Sequence, residues 1–334
     1  MRWWLLPAGL ILSAQAWSQD GSAPPVDAFS QCLQEALAAA GDEVTVRELR
    51  ARCAGLTQSV DADAGAPDRD GSTLERRLAM DLLAGNNPFV LNAYRANYFL
   101  PYVYNRRPNE APFEGVSDDL SQLDHVEFDF QLSVKVLLAK GVLLNRGHLF
   151  FGYTNRSFWQ AYNKEASRAF RETNHEPELF LTFENDWEVL GFRNVANQVI
   201  LNHQSNGRGG ELSRSWNRVM VNSLWEKGNF AMSFKPWRRV RESDSSDDNP
   251  DIEHYMGHFE WQGDWRLGGN TLSLMLRNNL RSDNKGAGEL RWSFPLNERI
   301  RLMVKYFNGY GESLVDYNAY TESIGIGFQF SEWY

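Results

Sequence analysis

The chain has 334 residues, of which 43% are hydrophobic, 13% aromatic and 23% charged, with a formal net charge of −9. This acidic balance argues against a nucleic-acid-binding protein, which would carry a basic stripe. After the N-terminus no run approaches the roughly 18 apolar residues of a transmembrane helix. A mean hydropathy of −0.49 suits a soluble protein, but it also suits a membrane β-barrel, whose signal in each strand is weak.

The N-terminus has the layout of a secretory signal peptide. Arg2 supplies the positive charge, a short apolar stretch follows at 3–12, and 14–16 (Ala-Gln-Ala) fits a small-x-small cleavage site. About ten apolar residues are too few to cross a bilayer, which needs about 20. We therefore predict a signal peptide at 1–18, with a membrane-anchor helix as the alternative.

The segment 19–56 contains both cysteines, Cys32 and Cys53, and its apolar residues recur at helical spacing. A break at Gly41 predicts a helical hairpin. An even, isolated cysteine pair in an exported protein indicates a disulfide, and two free thiols are the alternative. Residues 57–85 are predicted as a polar linker that ends in a short amphipathic piece.

Residues 86–334 show the alternating pattern of strands that lie between lipid and a lumen. Twelve strands are predicted, at 97–105, 124–138, 143–156, 177–187, 192–205, 213–226, 229–240, 253–265, 269–281, 286–295, 299–309 and 320–334. Their connections alternate between short and mostly longer, which predicts an all-β, 12-stranded antiparallel transmembrane β-barrel in the outer membrane. Because the number of strands is even, the start of the first strand and the end of the last strand would both lie on the periplasmic side, together with the N-terminal region. A soluble β-sandwich is the alternative.

Two neighbouring strands carry polar residues where apolar ones are expected. On the fifth strand the odd-numbered residues are the more apolar set and should face lipid, yet this set ends in His203 and Ser205. A hairpin centred on Gly210 would place Asn217 of the sixth strand opposite His203, about 5 Å away. A hydroxyl, an imidazole and a third polar group are the parts of an activated serine nucleophile. The alternative is a parity shifted by one residue, which would place these groups in a wet lumen.

The other five histidines have no serine two residues away on a lipid-facing strand. They are therefore predicted as rim or loop residues, at positions 125, 148, 175, 254 and 258. This leaves the group around Ser205 as the candidate catalytic centre.

Several motifs carry a resemblance to a known family. They include His203-Gln-Ser-Asn-Gly-Arg208 and Ser213-Arg-Ser-Trp-Asn-Arg218, together with segments at 170–174, 248–251 and 309–314. From about residue 87 to the C-terminus the sequence resembles the outer membrane phospholipase A family. The resemblance implies calcium-dependent hydrolysis of phospholipid acyl esters, with phospholipase A1, phospholipase A2 and lysophospholipase activity. It also implies Ser205 as the nucleophile, His203 as the base and Asn217 as the group that orients the base.

The resemblance further implies one calcium ion in each active site of a homodimer. By position, its protein ligands are the Ser213 side chain, the Arg208 backbone carbonyl and the backbone carbonyl of Ser167 of the partner subunit. Calcium prefers oxygen ligands of this kind. Two positions depart from the family pattern. Some members are expected to have an acidic residue near position 210, where this chain has Gly210, which puts a second, weaker calcium site in doubt. A glutamine expected in the dimer interface is Asn155 here.

Two other functions compete with this interpretation. A non-enzymatic outer-membrane barrel would have no use for His203 and Ser205 on its lipid face, and twelve strands leave limited room for a pore. A lipid A deacylase is the other alternative. Fewer strands, and a carboxylate in place of Asn217, would favour it.

Overall fold

The computed structural model describes residues 72–332, apart from 86, 88–89, 118–119, 144, 166–168, 244 and 246. The chain divides into a first unit, Met1–Asp70, and a second unit, Gly71–Tyr334. The predicted signal peptide, helical hairpin and Cys32–Cys53 disulfide lie outside the described residues and stay predictions.

Twelve long strands in the described part of the chain form one closed antiparallel sheet. The strands are β1 (Asn97–Asn105), β2 (Val126–Ala139), β3 (Gly147–Trp159), β4 (Phe170–Glu184), β5 (Phe192–Ser205), β6 (Ser215–Lys227), β7 (Phe230–Val240), β8 (Phe259–Leu267), β9 (Asn270–Asn278), β10 (Gly286–Pro295), β11 (Arg301–Tyr310) and β12 (Tyr320–Ser331). Each pairs with its neighbours in the chain, and β12 pairs with β1 to close the barrel. Two-residue strands at Asn92–Ala93 and Glu188–Val189 pair antiparallel with β2 and β5, respectively. The prediction of a 12-stranded barrel is confirmed.

Two predicted strand starts differ from the structure by six residues or more and are wrong. The fourth strand begins at Phe170 and not at 177, because its charged residues face inward and are paired there. Arg171, for example, is buried between Glu127 and Asp316. The eighth strand begins at Phe259 and not at 253, because a short helix, α2 (Ile252–Met256), precedes it.

Side chains alternate between the two faces of the barrel as predicted. On β5, Val199 and Leu201 are exposed, whereas Gln198, Ile200 and Asn202 are buried. Similar exposed apolar side chains occur around the barrel, among them Leu132, Phe151, Leu179, Val219, Val221, Phe234, Leu276, Leu290, Trp292, Tyr306, Ile324 and Ile326. An outward apolar surface of this kind is what a barrel in a bilayer requires.

The lumen is lined by paired charges. Lys305 is fully buried and contacts both Asp129 and Glu312. Arg156 lies 2.8 Å from the same Asp129 carboxylate, and Arg95 pairs with Glu178 at 2.7 Å. Buried charges need such partners, because an unpaired one is costly to remove from water. This lining differs from the open lumen that a general pore would need.

One helix covers the lumen at the end with the short turns. Ser72 caps helix α1 (Thr73–Ala84), its side chain accepting a hydrogen bond from the Glu75 amide at 3.0 Å. Leu74 packs with buried apolar residues of β5, β6 and β7. Asp81 is buried in an ion pair with Lys135 of β2. Among the described residues, no helix is long and apolar enough to cross a membrane.

Candidate active site

The hairpin of β5 and β6 brings two of the predicted catalytic residues into contact. His203 pairs directly with Asn217, so the predicted register is confirmed. The Nδ1 atom of His203 lies 2.8 Å from Oδ1 of Asn217. An amide oxygen only accepts hydrogen bonds, so this contact assigns the ring hydrogen to Nδ1 and leaves the lone pair on Nε2.

All three predicted catalytic residues lie on the outward face. His203, Ser205 and Asn217 are half-buried, and they continue the rows of exposed residues that include Leu201 and Val219. The alternative parity, with these groups in the lumen, is therefore wrong. Ser205 follows His203 by two residues on the same strand, which places both side chains on one face.

The loop that follows Ser205 is fixed by one buried side chain. The Oδ1 atom of Asn206 accepts hydrogen bonds from the backbone N–H groups of Arg208, at 3.2 Å, and Arg214, at 3.0 Å. Gly207 and Gly210 adopt φ angles of 65° and 62°, in the left-handed region that favours glycine. The acidic residue expected at 210 would be strained in this backbone conformation.

Two of the three predicted calcium ligands lie in this loop region. The Ser213 hydroxyl donates to a carboxylate oxygen of Asp248 at 2.6 Å, so two oxygen groups already converge there. Arg208 belongs to the same loop, whereas Ser167 lies outside the described residues. Within the described ranges, no group of three or more His, Cys, Asp or Glu side chains could hold a metal ion. The predicted ligands are instead a hydroxyl and backbone carbonyls, which fit calcium.

His175 was predicted at a rim or in a loop, and this is wrong. It lies on β4, where it pairs directly with Ser205 on the outward face. Its Nδ1 atom lies 2.7 Å from the Tyr153 hydroxyl and 3.3 Å from Nδ2 of Asn155. The signal that could have found it is the start of β4. A strand that begins at Phe170 includes His175, and the alternation of side chains along that strand places His175 on the outward face.

Glu242 is a further residue of this site that the sequence did not indicate. It follows the end of β7, and its Oε1 atom accepts a hydrogen bond from Nδ2 of Asn217 at 2.9 Å. A carboxylate thus lies behind the His203–Asn217 pair. Its position after the strand, in a polar loop, gave no pattern by which to select it.

Comparison with known proteins defines the family. A profile of the family described as Phospholipase A1 matches residues 74–330. The chain belongs to the phospholipase A1 family. Phospholipase A1 of Klebsiella pneumoniae is 35% identical over 275 residues, which cover 80% of this chain and 94% of that protein. Phospholipase A1 of Escherichia coli strain K12 is 37% identical over 247 residues, which cover 74% of this chain and 83% of that protein.

Solved structures agree with this family assignment. Outer membrane phospholipase A from Escherichia coli superposes with a TM-score of 0.70 at 36% identity, over 74% of this family member and 100% of that chain. The Salmonella typhi outer membrane phospholipase dimer with bound calcium superposes with a TM-score of 0.71 at 35% identity. The superposition covers 75% of this chain and 95% of that chain.

Proposed function

We propose that this phospholipase A1 family member hydrolyses phospholipid acyl esters in the outer membrane, with Ser205 as the nucleophile. The observation that carries the proposal is the hydrogen-bonded pair of His203 and Asn217 beside Ser205, on the outward face of the barrel. Unsatisfied polar groups that face lipid cost several kcal/mol each. A catalytic role explains why such groups are kept there.

The chemistry follows from the orientation of the imidazole. Nε2 of His203 takes the proton from the Ser205 hydroxyl as Oγ attacks the ester carbonyl. The tetrahedral intermediate then expels the lysophospholipid alkoxide, which receives that proton from His203. A water molecule, activated by the same nitrogen, hydrolyses the acyl-enzyme and releases the fatty acid. Asn217 keeps the ring in the tautomer that both steps need.

The position of Ser205 favours a lipid substrate over a soluble ester. The apolar side chains of Val199 and Leu201 lie on the same outward row as His203 and Ser205. An acyl chain in the bilayer can pack along this row while its ester group reaches the nucleophile. The substrate therefore does not need to leave the membrane. We propose that the same approach serves hydrolysis at either acyl position and of lysophospholipids, as the family resemblance implies.

We infer that calcium is held by the Ser213 side chain, the Arg208 backbone carbonyl and the backbone carbonyl of Ser167 of the partner subunit. A calcium ion held by these residues would supply positive charge near the developing oxyanion. The loop held by Asn206 keeps the first two ligands close to the end of β5. Strand β3 ends at Trp159 and strand β4 begins at Phe170 on the same side of the barrel as the loop 206–214. The enzyme would be active as a homodimer.

Two alternatives lose support. A lipid A deacylase with fewer strands and a carboxylate third member does not match twelve strands and Asn217. A pore does not match a lumen lined by the buried Lys305 and its partners, with helix α1 packed at one end.

The decisive experiment compares Ser205→Ala with Ser215→Ala. Ser215 pairs with Ser205 across the same hairpin, but no histidine lies two residues from it on its strand. Release of fatty acid from phospholipid in mixed micelles with calcium should be lost in Ser205→Ala and kept in Ser215→Ala. Wild-type turnover by purified Ser205→Ala would refute the assignment of the nucleophile.

A further inference from the structure

A carboxylate contacts the neutral member of the catalytic group. Oε1 of Glu242 lies 2.9 Å from Nδ2 of Asn217, while Oδ1 of Asn217 lies 2.8 Å from Nδ1 of His203. The sheet explains this placement, because Val240 at the end of β7 pairs with Asn217 and Glu242 follows two residues later. Glu242 is half-buried, and with the described residues its side chain makes no other hydrogen bond or ion pair.

An asparagine amide has a donor end and an acceptor end of nearly equal size, so its orientation must be set by its partners. A carboxylate accepts hydrogen bonds and does not donate them. Glu242 therefore selects the orientation in which Nδ2 of Asn217 faces the carboxylate and Oδ1 faces His203. In the opposite orientation an N–H group would face Nδ1, the ring hydrogen would move to Nε2, and His203 could not accept the proton of Ser205.

Charge favours the same arrangement. His203 becomes an imidazolium when it takes the proton from Ser205, and Asn217 is neutral. Glu242 places a negative charge one hydrogen bond beyond Asn217, and this charge polarises the amide toward a stronger acceptor at Oδ1. Chains of hydrogen bonds strengthen one another in this way in a site of low dielectric.

We propose that Glu242 is a positioning residue that fixes the Asn217 amide and completes a chain of hydrogen-bonded groups from His203 through Asn217 to a carboxylate, beside Ser205. The proposal rests on the proposed function, because it concerns the activation of the same serine. It also explains why an asparagine occupies position 217. A second carboxylate there would face Glu242 and repel it.

The first test is Glu242→Gln in the otherwise unchanged protein. Glutamine has both a donor and an acceptor, so it no longer selects one amide orientation, and it carries no charge. We expect kcat to fall by about tenfold, with KM unchanged. The control is Glu114→Gln, which neutralises an exposed carboxylate in another outer loop and should leave kcat unchanged.

The second test repeats the change in an Asn217→Asp background. Asn217→Asp alone should be impaired, because two carboxylates then face each other. Adding Glu242→Gln supplies an N–H donor to the new carboxylate, and we expect kcat to rise by about tenfold over Asn217→Asp alone. The same substitution thus harms one background and rescues the other. A purely structural role of Glu242 would lower activity in both.

A probe that does not depend on the natural substrate separates this proposal from the proposed function. A long-chain fluorophosphonate labels an activated serine, and mass spectrometry measures its rate of attachment to Ser205. One outcome is that Glu242→Gln slows labelling in the wild-type background and speeds it in the Asn217→Asp background while no phospholipid is cleaved. In that case the phospholipase assignment fails and the role of Glu242 stands. The role of Glu242 is overturned if Glu242→Gln keeps the labelling rate and kcat within about twofold of wild type. It is also overturned if Glu242→Gln lowers both quantities in the wild-type and in the Asn217→Asp background. Heat-modifiable migration on gels verifies that each variant forms the barrel.

Discussion

His175 on β4 and Ser205 on β5 are direct cross-strand partners on the outward face of the barrel. Ser205 therefore has two imidazoles nearby, one on its own strand and one across the sheet. They differ in their partners, because His203 contacts an amide oxygen of Asn217, whereas His175 contacts the hydroxyl of Tyr153. The amide oxygen places the ring hydrogen of His203 on Nδ1. The Nδ2 donor of Asn155, 3.3 Å from Nδ1 of His175, instead makes that nitrogen an acceptor and leaves the ring hydrogen of His175 on Nε2.

This difference predicts which histidine is the base. His203→Ala should abolish fatty acid release, since it removes the group that accepts the Ser205 proton. His175→Ala should keep at least about a tenth of wild-type kcat, since it removes a neighbour and not the base. Steady-state assays of the two variants with one phospholipid are sufficient. Loss of activity in His175→Ala with activity kept in His203→Ala would reverse the assignment.

Asn217→Ala should be milder than His203→Ala. The imidazole remains and can still accept a proton, but its tautomer and orientation are no longer held, so kcat should fall by about 10- to 100-fold. The kcat values of the two variants, measured side by side, check this order. If kcat falls equally in Asn217→Ala and His203→Ala, then Asn217 does more in the reaction than orient the imidazole.

Calcium removal should stop hydrolysis reversibly. A chelator should remove activity, and added calcium should restore it, if oxygen ligands at Ser213 and Arg208 hold the ion. Ser213→Ala should raise the calcium concentration needed for half-maximal activity by about tenfold or more, because it deletes a side-chain ligand. Ser215→Ala serves as the control on the same strand end. A chelator-resistant enzyme would contradict the calcium site.

The sequence was sufficient for the register of the catalytic hairpin, because alternation along β5 and the glycine at 210 both constrain it. It was not sufficient for His175. The polar residues at 171–176 resemble a loop in sequence, and only the buried partners of Arg171 show that a charged strand is stable there. Glu242 illustrates a second limit. A residue beyond a strand end follows no periodicity, so its contact with Asn217 depends on how the loop folds.

The buried lysine of the lumen should control stability without taking part in catalysis. Lys305→Met leaves Asp129 and Glu312 without one of their cationic partners, and removing one member of a buried ion pair costs about 3–5 kcal/mol. The free energy of unfolding, measured by guanidinium denaturation in micelles, should fall by this amount. Lys164→Met, at an exposed position, is the control. Unchanged stability in Lys305→Met would mean that Arg156 alone satisfies the two carboxylates.

Activity should require two barrels. The proposed calcium site draws a carbonyl from Ser167 of the partner subunit, so a lone barrel would lack a ligand. Asn155, which the family resemblance places at the dimer interface, lies on β3 and its amide is 3.3 Å from His175. The active groups of β5 lie at the end of the barrel with the longer loops. We propose that this end faces outward, where the outer leaflet would contain little phospholipid. Separate monomers and scarce substrate would together keep the enzyme silent in an intact membrane.

Cross-linking at two positions tests this mechanism. In a background without Cys32 and Cys53, Asn155→Cys barrels joined by a bismaleimide should hydrolyse phospholipid at saturating calcium. Leu290→Cys barrels joined in the same way should behave as monomers, because Leu290 is exposed on β10, far along the sheet from β3. Since calcium is saturating in both, a difference in kcat reports the completed site. Monomers as active as the dimer joined at 155 would refute the shared site, even if Ser205, His203 and Asn217 keep their assigned roles.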